Sequence, residues 1–227
     1  MLATIQVILF VALTVIVVSL PDIQDDLGLG RSDVALVSSA FGLSFSGLLI
    51  LGGRLADLFG RRRLLMLGLT VSAVASVAGG VAPGLAVLLL ARFVQGIGAA
   101  LAAPTALALV HGDVFADAGR QGRAVAAWGV LAPIGATTGL LVSGLVVTWS
   151  SWRWTFAIPT VGAGVAGLLV PRLVPAGPAP TRTRLDVPGA LLVTAGLSAL
   201  SFALVSSEDH PGCRRSCWFR SPAAFRW

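Results

Sequence analysis

The sequence predicts an all-α integral membrane protein, and three observations lead to that prediction. Of the 227 residues, 56% are hydrophobic and 11% are charged, and the mean hydropathy is +0.90. A soluble domain carries more than twice that share of charge, roughly 25%. The apolar residues form long uncharged runs of the length that a helix needs to cross about 30 Å of hydrocarbon. Nearly all the positive charges lie between these runs, as in loops at a membrane surface.

The basic composition does not indicate a nucleic-acid partner. The formal net charge is +6, but the arginines are spread through an apolar chain instead of forming one basic face. This pattern fits membrane topology and contact with anionic lipid better than DNA binding. Both cysteines, Cys213 and Cys217, fall near the C-terminus, so no disulfide framework is indicated. No nucleophile–base pair is visible, so an enzyme is the least favoured class, and no cofactor is expected.

The first two uncharged runs predict the first two membrane helices. Residues 1–21 form the first run. A cleaved signal peptide is disfavoured, because no basic segment precedes the run and no small-x-small cleavage site follows it. The acidic segment 22–33 is therefore expected outside the cell, with Ser32 as the N-cap of a second helix over 34–53.

Later helices follow from the same pattern of apolar runs and breaks. The uncharged stretch from residue 64 to 91 is too long for one span, and glycines and a proline at 79–84 divide it. The predicted helices are 64–79, 85–107, 124–149 and 154–171, so that residues 1–171 form one transmembrane bundle. A cytoplasmic linker at 172–187, a seventh helix at 188–207 and a polar tail at 208–227 complete the prediction.

The eleven residues between the second and third runs, 53–63, hold four of the chain's arginines. A generic basic loop would explain these arginines, but not the spacing of the glycines and the aspartate among them. The stretch resembles the loop between helices 2 and 3 of the major facilitator superfamily, Gly-x-x-x-Asp-x-x-Gly followed by three basic residues. The residues in register are Gly53, Asp57, Gly60, Arg61, Arg62 and Arg63.

Arg92 is the one charge well inside an apolar run. A charge within the bilayer costs a few kcal/mol on insertion scales and usually marks a functional site. Snorkelling is the alternative, because Arg92 lies about 10 Å from the expected outer end of its helix. The surrounding Arg-Phe-Val-Gln-Gly-Ile-Gly, which includes Gln95 and Gly96, resembles the helix 4 motif of the same superfamily. In that family the arginine is tied to proton coupling.

Glycines on the fifth predicted helix indicate a packing face at Gly135, Gly139 and Gly144. The segment resembles the helix 5 motif of the superfamily's antiporters, Gly-x-x-x-Gly-Pro-x-x-Gly-Gly. Leu140 and Ser143 depart from that motif, where proline and glycine are expected. Residues 151–156 resemble the start of helix 6 in fourteen-span drug–proton antiporters, and their tryptophans are expected at the outer interface.

The resemblance covers residues 1–207 and implies the N-terminal six-helix bundle of the major facilitator fold plus a seventh transmembrane helix. It implies a multi-pass protein of the plasma membrane that exports small amphipathic compounds by alternating access, driven by protons. In this picture Asp57 and Arg61 gate the cytoplasmic side, Arg92 tunes coupling, and the small-residue face of helix 5 meets a second half.

Two departures from the family favour a different reading. Ala12 stands where the drug antiporters carry an aspartate, nine residues before the Leu-Pro that ends helix 1, and no predicted span contains a carboxylate. Only one of the two six-helix halves is represented, so a missing C-terminal half is an expected partner. The alternative is a truncated or frame-shifted fragment, or half of a split carrier. In the tail, His210, Cys213 and Cys217 are too few for a convincing metal site.

Overall fold

The computed structural model describes residues 2–112 and 118–173, with isolated positions between 189 and 199. Within these residues the regular elements are all helical, which confirms the predicted class. A short 3-10 helix, Trp152–Phe156, precedes the last long helix. The long helices are α1 Leu2–Leu27, α2 Arg31–Phe59, α3 Arg61–Gly80, α4 Leu85–Gly112, α5 Ala118–Trp149 and α6 Ala157–Leu173. Most of the predicted linker at 172–187, the seventh helix at 188–207 and the tail at 208–227 lie outside the continuously described ranges.

Six segments of the described chain are long and apolar enough to cross a membrane. Their mean hydropathies lie between 1.5 and 2.2, and each contains at least twenty residues. At 1.5 Å per residue, twenty residues reach about 30 Å, the thickness of the hydrocarbon core. The chain is a multi-pass membrane protein.

The helices extend beyond the uncharged runs that predicted them. α1 continues through Pro21 to Leu27, and the basic stretch that was predicted as a loop is mostly the last turns of α2. Gly28 and Gly60 end these helices, with φ of 62° and 90°, values that glycine adopts without the steric cost of a Cβ. An uncharged run marks the part of a helix that lies in hydrocarbon, whereas the helix itself continues until its backbone geometry changes.

The predicted N-cap of α2 is wrong. Gly30 occupies the cap position, and Ser32 lies within the first turn of the helix. The Asp33 carboxylate accepts a hydrogen bond from the Gly30 backbone N–H at 3.0 Å, which satisfies a donor at the helix N-terminus. An acidic side chain also complements the partial positive charge there.

α4 lies at the centre of the bundle. It packs along most of its length against α2 and α3, while α1 packs against α5 and α3 against α6. Exchanging the first three helices with the last three maps the α1–α5 pair onto α4–α2 and the α3–α6 pair onto itself. The extensive α3–α4 pair maps onto the smaller α1–α6 contact, so the symmetry is approximate. That symmetry is expected for two three-helix repeats of the kind found in transporters.

Glycines allow the backbones around α4 to touch. A Cβ built on Gly98 would lie 2.6 Å from the Gly68 carbonyl oxygen, and one on Gly52 would clash with the Ala100 carbonyl. Without a hydrophobic force between helices in lipid, such close van der Waals contact is what holds them together. α4 is therefore fixed in position relative to α2 and α3.

Candidate functional site

Arg92 lies about two turns into α4, and its side chain is completely buried. The snorkelling alternative is therefore wrong, because a snorkelling side chain would place its guanidinium at the surface. Arg92 is the largest fully buried side chain among the residues that the structure describes. The fold directs this charge into the helix bundle, towards α1, α2 and α3.

The Arg92 guanidinium is held by a short chain of hydrogen bonds. Its Nη1 donates to the Ala12 carbonyl oxygen on α1 at 3.1 Å and to Gln95 Oε1 at 2.7 Å. Gln95 Nε2 donates to Ser76 Oγ on α3 at 2.7 Å, and Ser76 donates to the Ser72 carbonyl oxygen at 2.7 Å. Because the Ser76 proton is already used, Ser76 accepts from Gln95, and this turns the Gln95 oxygen towards Arg92.

An aromatic ring covers one face of the same guanidinium. The Arg92 Cζ lies 4.7 Å from the centroid of the Phe41 ring on α2, within the range of a cation–π interaction. Phe45 stacks on Phe41, with ring centroids 5.9 Å apart. Gly96 makes this approach possible, because a Cβ there would clash with the Ser44 hydroxyl and the Phe41 carbonyl. The three residues predicted for coupling, Arg92, Gln95 and Gly96, therefore form one site.

This site holds a cation without a carboxylate partner among the described residues. Arg92 Nε and Nη2 are buried and make no hydrogen bond there. The residue of α1 that accepts a hydrogen bond from the guanidinium is Ala12, where the family resemblance led us to expect an aspartate. The arrangement supplies a fixed positive charge in a low-dielectric region, with part of its hydrogen-bonding capacity unused.

The basic motif joins the ends of three helices. Arg61 Nη1 donates to the Ala108 carbonyl oxygen of α4 at 3.1 Å, and Arg62 Nη2 donates to the Pro171 carbonyl oxygen of α6 at 2.8 Å. Both carbonyls lie near helix C-termini, where partial negative charge favours a cation. The two arginines thus hold the start of α3 against the ends of α4 and α6, a structural role that a topology signal alone would not require.

The other motif residues lie around this corner. Asp57 is half-exposed and pairs with Arg61, with 3.5 Å between Oδ1 and Nη2. Gly60 forms the turn between α2 and α3, while Arg63 is exposed. Gly53 faces Pro104 of α4 at an ordinary packing distance, 3.7 Å for a built Cβ. Through this ion pair Asp57, in the last turn of α2, contacts the side chain of Arg61, the first residue of α3.

The glycine face of α5 packs within this bundle. A Cβ on Gly135 would lie 2.9 Å from the Val7 Cα, and one on Gly139 would clash with the Thr14 hydroxyl on α1. The expectation that this face meets a second half is therefore wrong for these two residues. Gly144 is less crowded, since its nearest atom outside its own helix, on Val18, lies at 3.9 Å.

The predicted departure at Ser143 has a structural reason. Ser143 is fully buried, donates to the Val15 carbonyl oxygen and lies 3.3 Å from the Ser19 hydroxyl. Ser19 also donates to Thr155 at 3.4 Å. A glycine at position 143 could not make the contacts with Val15 and Ser19, which join α5 to α1.

Sequence reasoning missed a cluster at the opposite end of the bundle. The Asp26 Oδ2 accepts from Arg153 Nη1 at 2.7 Å and from Trp152 Nε1 at 3.0 Å, and Arg153 stacks on the Trp152 ring. Trp152 is only 3% exposed because it packs within the bundle, whereas Trp149 and Trp154 are exposed. The sequence contained an acidic segment and a basic aromatic segment that could have indicated this cluster. More than a hundred residues separate the two segments, so the sequence pattern did not show that they meet.

Comparison with known proteins adds a family to this geometry. The model of the Major Facilitator Superfamily matches residues 2–222. The puromycin resistance protein pur8 of Streptomyces alboniger is 42% identical over 197 residues, which cover 86% of this chain and 39% of that protein. The cephamycin export protein CmcT of Amycolatopsis lactamdurans is 38% identical over 200 residues, which cover 87% of this chain and 41% of that protein. The chain thus spans about 40% of the length of these curated relatives.

Solved structures share the fold at low sequence identity. The peptide transporter POT in complex with sulfate matches with a TM-score of 0.68 at 18% identity, covering 96% of this chain and 46% of that one. The human organic anion transporter MFSD10 matches with a TM-score of 0.67 at 18% identity, covering 89% of this chain and 54% of that one. At these identities the likeness establishes the arrangement of helices alone.

Proposed function

The chain belongs to the Major Facilitator Superfamily, and on that basis we propose that it forms the N-terminal membrane bundle of an exporter of small amphipathic compounds. Two relatives that match most of this chain are named for antibiotic resistance and export. In this proposal the protein is a carrier and not an enzyme, and it acts in the plasma membrane.

The observation that carries the proposal is the buried Arg92 site. A charge inside a membrane bundle is costly, and it is retained where it serves a substrate or ion pathway. Arg92 contacts α1 and α2 directly and α3 through Gln95, so helix movements that admit a substrate would change its surroundings. A purely structural core would place an apolar side chain at this position.

Alternating access supplies the mechanism. In this fold two six-helix bundles rock around a shared site near the bilayer midplane. The described residues supply one bundle, so we assign the second bundle to a C-terminal half. The curated relatives are long enough to contain such a half, because this chain spans about 40% of their length. Arg61 and Arg62 would support the cytoplasmic gate, because their bonds to α4 and α6 hold the helix ends of this bundle together while it moves against the second one.

A proton pathway through the described residues would have to use a group other than a carboxylate paired with Arg92. Ala12 leaves Arg92 without the carboxylate that the drug antiporters carry, and the acidic residues of the described spans lie close to helix ends. The second candidate function follows from the same observation together with the share of its relatives' length that the chain spans, about 40%. It is a membrane fragment, or half of a split carrier, that does not transport alone.

A fusion protein tests the proposal. Residues 1–173 would be joined to the corresponding C-terminal part of the puromycin resistance protein and expressed in a strain that lacks its own efflux pumps. We expect the fusion to lower the accumulation of puromycin or of a lipophilic dye, and we expect the unfused chain not to do so. A fusion that inserts into the membrane at normal levels, but leaves the accumulation of both compounds unchanged, would contradict the exporter assignment.

A further inference from the structure

Only one of the two edges of the Arg92 guanidinium makes hydrogen bonds with the described residues. Both hydrogens of Nη1 have acceptors, the Ala12 carbonyl oxygen and Gln95 Oε1. The N–H groups of Nε and Nη2 have none among the described residues, although both atoms are buried. Nε and Nη2 lie on the same edge of the planar group, and two parallel N–H donors of this kind match the two oxygens of a carboxylate.

The residues that the structure describes provide no internal anion for that edge. The aspartates of the described spans lie near helix ends: Asp22, Asp25 and Asp26 in the last two turns of α1, Asp33 in the first turn of α2 and Asp57 in its last turn. Asp22 follows Ala12 by ten residues, which is about 15 Å along a helix. Buried charges in membrane proteins are generally paired, so an unpaired guanidinium edge indicates a partner from outside the bundle.

We propose that the Nε–Nη2 edge of Arg92 is an anion-binding subsite, which takes either the carboxylate of an amphipathic organic acid or a halide ion. Gln95 fixes the other edge through its bond to Ser76, so the guanidinium is already oriented. Phe41 is buried against one face of the guanidinium and Phe45 stacks on it, so the unpaired edge lies in an aromatic, apolar environment.

Alanine at position 12 is the specificity determinant in this proposal. Its carbonyl oxygen lies 3.1 Å from Arg92 Nη1 and its side chain is buried, so residue 12 is adjacent to the guanidinium, and we expect a carboxylate at this position to pair with it. That internal carboxylate would occupy the site and exclude an external anion. With alanine the positive charge remains available. The interpretation of the anion as a transported substrate rests on the proposed function, whereas its binding does not.

The experiment is anion binding by the complete chain, purified in lipid nanodiscs and followed by thermal unfolding. The probes are sodium benzoate, sodium chloride and the neutral benzamide. Binding to the folded state alone raises Tm with ligand concentration. We expect benzoate or chloride to raise the Tm of the native chain and benzamide to leave it unchanged. Whichever anion gives the larger rise at equal concentration identifies the source, an organic acid or an inorganic halide.

Variants at the site separate charge from size. Ala12→Asp is expected to remove the anion-dependent rise in Tm, whereas Ala12→Asn, which has nearly the same volume without the charge, is expected to retain at least half of it. Arg92→Gln is expected to remove the rise as well. If Arg92→Gln does not fold, the comparison of Ala12→Asp with Ala12→Asn still tests whether a negative charge at position 12 removes anion binding.

Several outcomes would overturn the proposal. They are no rise with either anion in the native chain, an equal rise in Ala12→Asp, and a loss in Ala12→Asn as complete as in Ala12→Asp. Because this measurement involves no transport, its result is independent of the fusion protein described above. If the chain binds an anion but the fusion protein does not export, the exporter assignment is wrong and the anion subsite stands. If the fusion protein exports but the chain binds no anion, the anion subsite is wrong and the exporter assignment stands.

Discussion

Arg92 on α4 donates a hydrogen bond from Nη1 to the backbone carbonyl oxygen of Ala12 on α1, at 3.1 Å. This contact joins the centre of the bundle to the helix that carries the most distinctive departure from the drug antiporters. A backbone oxygen can orient the guanidinium, but it cannot neutralise its charge. Hydrogen bonds therefore orient the Nη1 edge of the guanidinium, whereas its positive charge has no anionic partner at the Nε–Nη2 edge among the described residues.

Replacing the buried charge should separate stability from transport. Arg92→Met keeps an unbranched side chain and removes an unpaired buried cation, so we expect unchanged or increased resistance to thermal unfolding. In the fusion protein the same change is expected to abolish efflux. Arg31→Met, at the exposed start of α2, is the matched control and is expected to change neither property. Full efflux by Arg92→Met would show that the charge has no role in transport.

Gly96 and Gly164 should respond oppositely to alanine. A Cβ at Gly96 would meet the Ser44 hydroxyl and the Phe41 carbonyl, so Gly96→Ala is expected to destabilise the bundle by about 1–3 kcal/mol through overpacking. A Cβ at Gly164 on α6 meets nothing within 4 Å, so Gly164→Ala is expected to be neutral or stabilising. Unfolding in mixed micelles measures both, and equal effects would mean that α2 and α4 are not in close contact at Gly96.

Asp57→Asn tests whether the motif carboxylate is a gate or a structural partner. Its ion pair with Arg61 is half-exposed, and such pairs contribute less than about 1 kcal/mol, so we expect normal insertion and stability. A loss of efflux in the fusion protein would then have to arise from another conformation of the transport cycle. Efflux equal to that of the unchanged fusion would instead reduce Asp57 to a topology signal.

The cluster at the opposite end should show coupling between residues distant in sequence. Asp26 accepts hydrogen bonds from both Arg153 and Trp152. In a double-mutant cycle, Asp26→Asn and Arg153→Met are expected to destabilise the chain less together than the sum of their separate effects. The coupling should weaken in 1 M salt, because the pair is partly exposed and screened. Strictly additive effects at low salt would show that the ion pair does not contribute to stability.

Orientation in the membrane is predicted by the charges at the two ends of the bundle. With Cys213 and Cys217 replaced by serine, a cysteine at exposed Phe59 should resist a membrane-impermeant thiol reagent in intact cells. A cysteine at exposed Asp25 should react. Permeabilised cells, in which both positions should react, provide the control. Labelling of position 59 from outside would invert the topology.

Much of the fold could be predicted from the sequence, because a bilayer imposes a simple physical requirement. A chain that crosses hydrocarbon must satisfy its backbone hydrogen bonds internally, so each long uncharged run has to be a helix. The six observed spans coincide with the six runs predicted up to residue 171. The helix ends were less predictable, since Leu27 and Phe59 lie beyond those runs and the ends depend on glycine geometry at residues 28 and 60.

What the sequence determined by itself was the class, the number of described spans, the family motif and the position of one buried charge. Only the tertiary structure decided that Arg92 has one free edge, that Gly135 and Gly139 meet α1, and that Trp152 is buried against Asp26. These facts depend on contacts between helices far apart in the chain. Composition and periodicity report how each residue partitions between lipid, water and protein, but not which helix it meets.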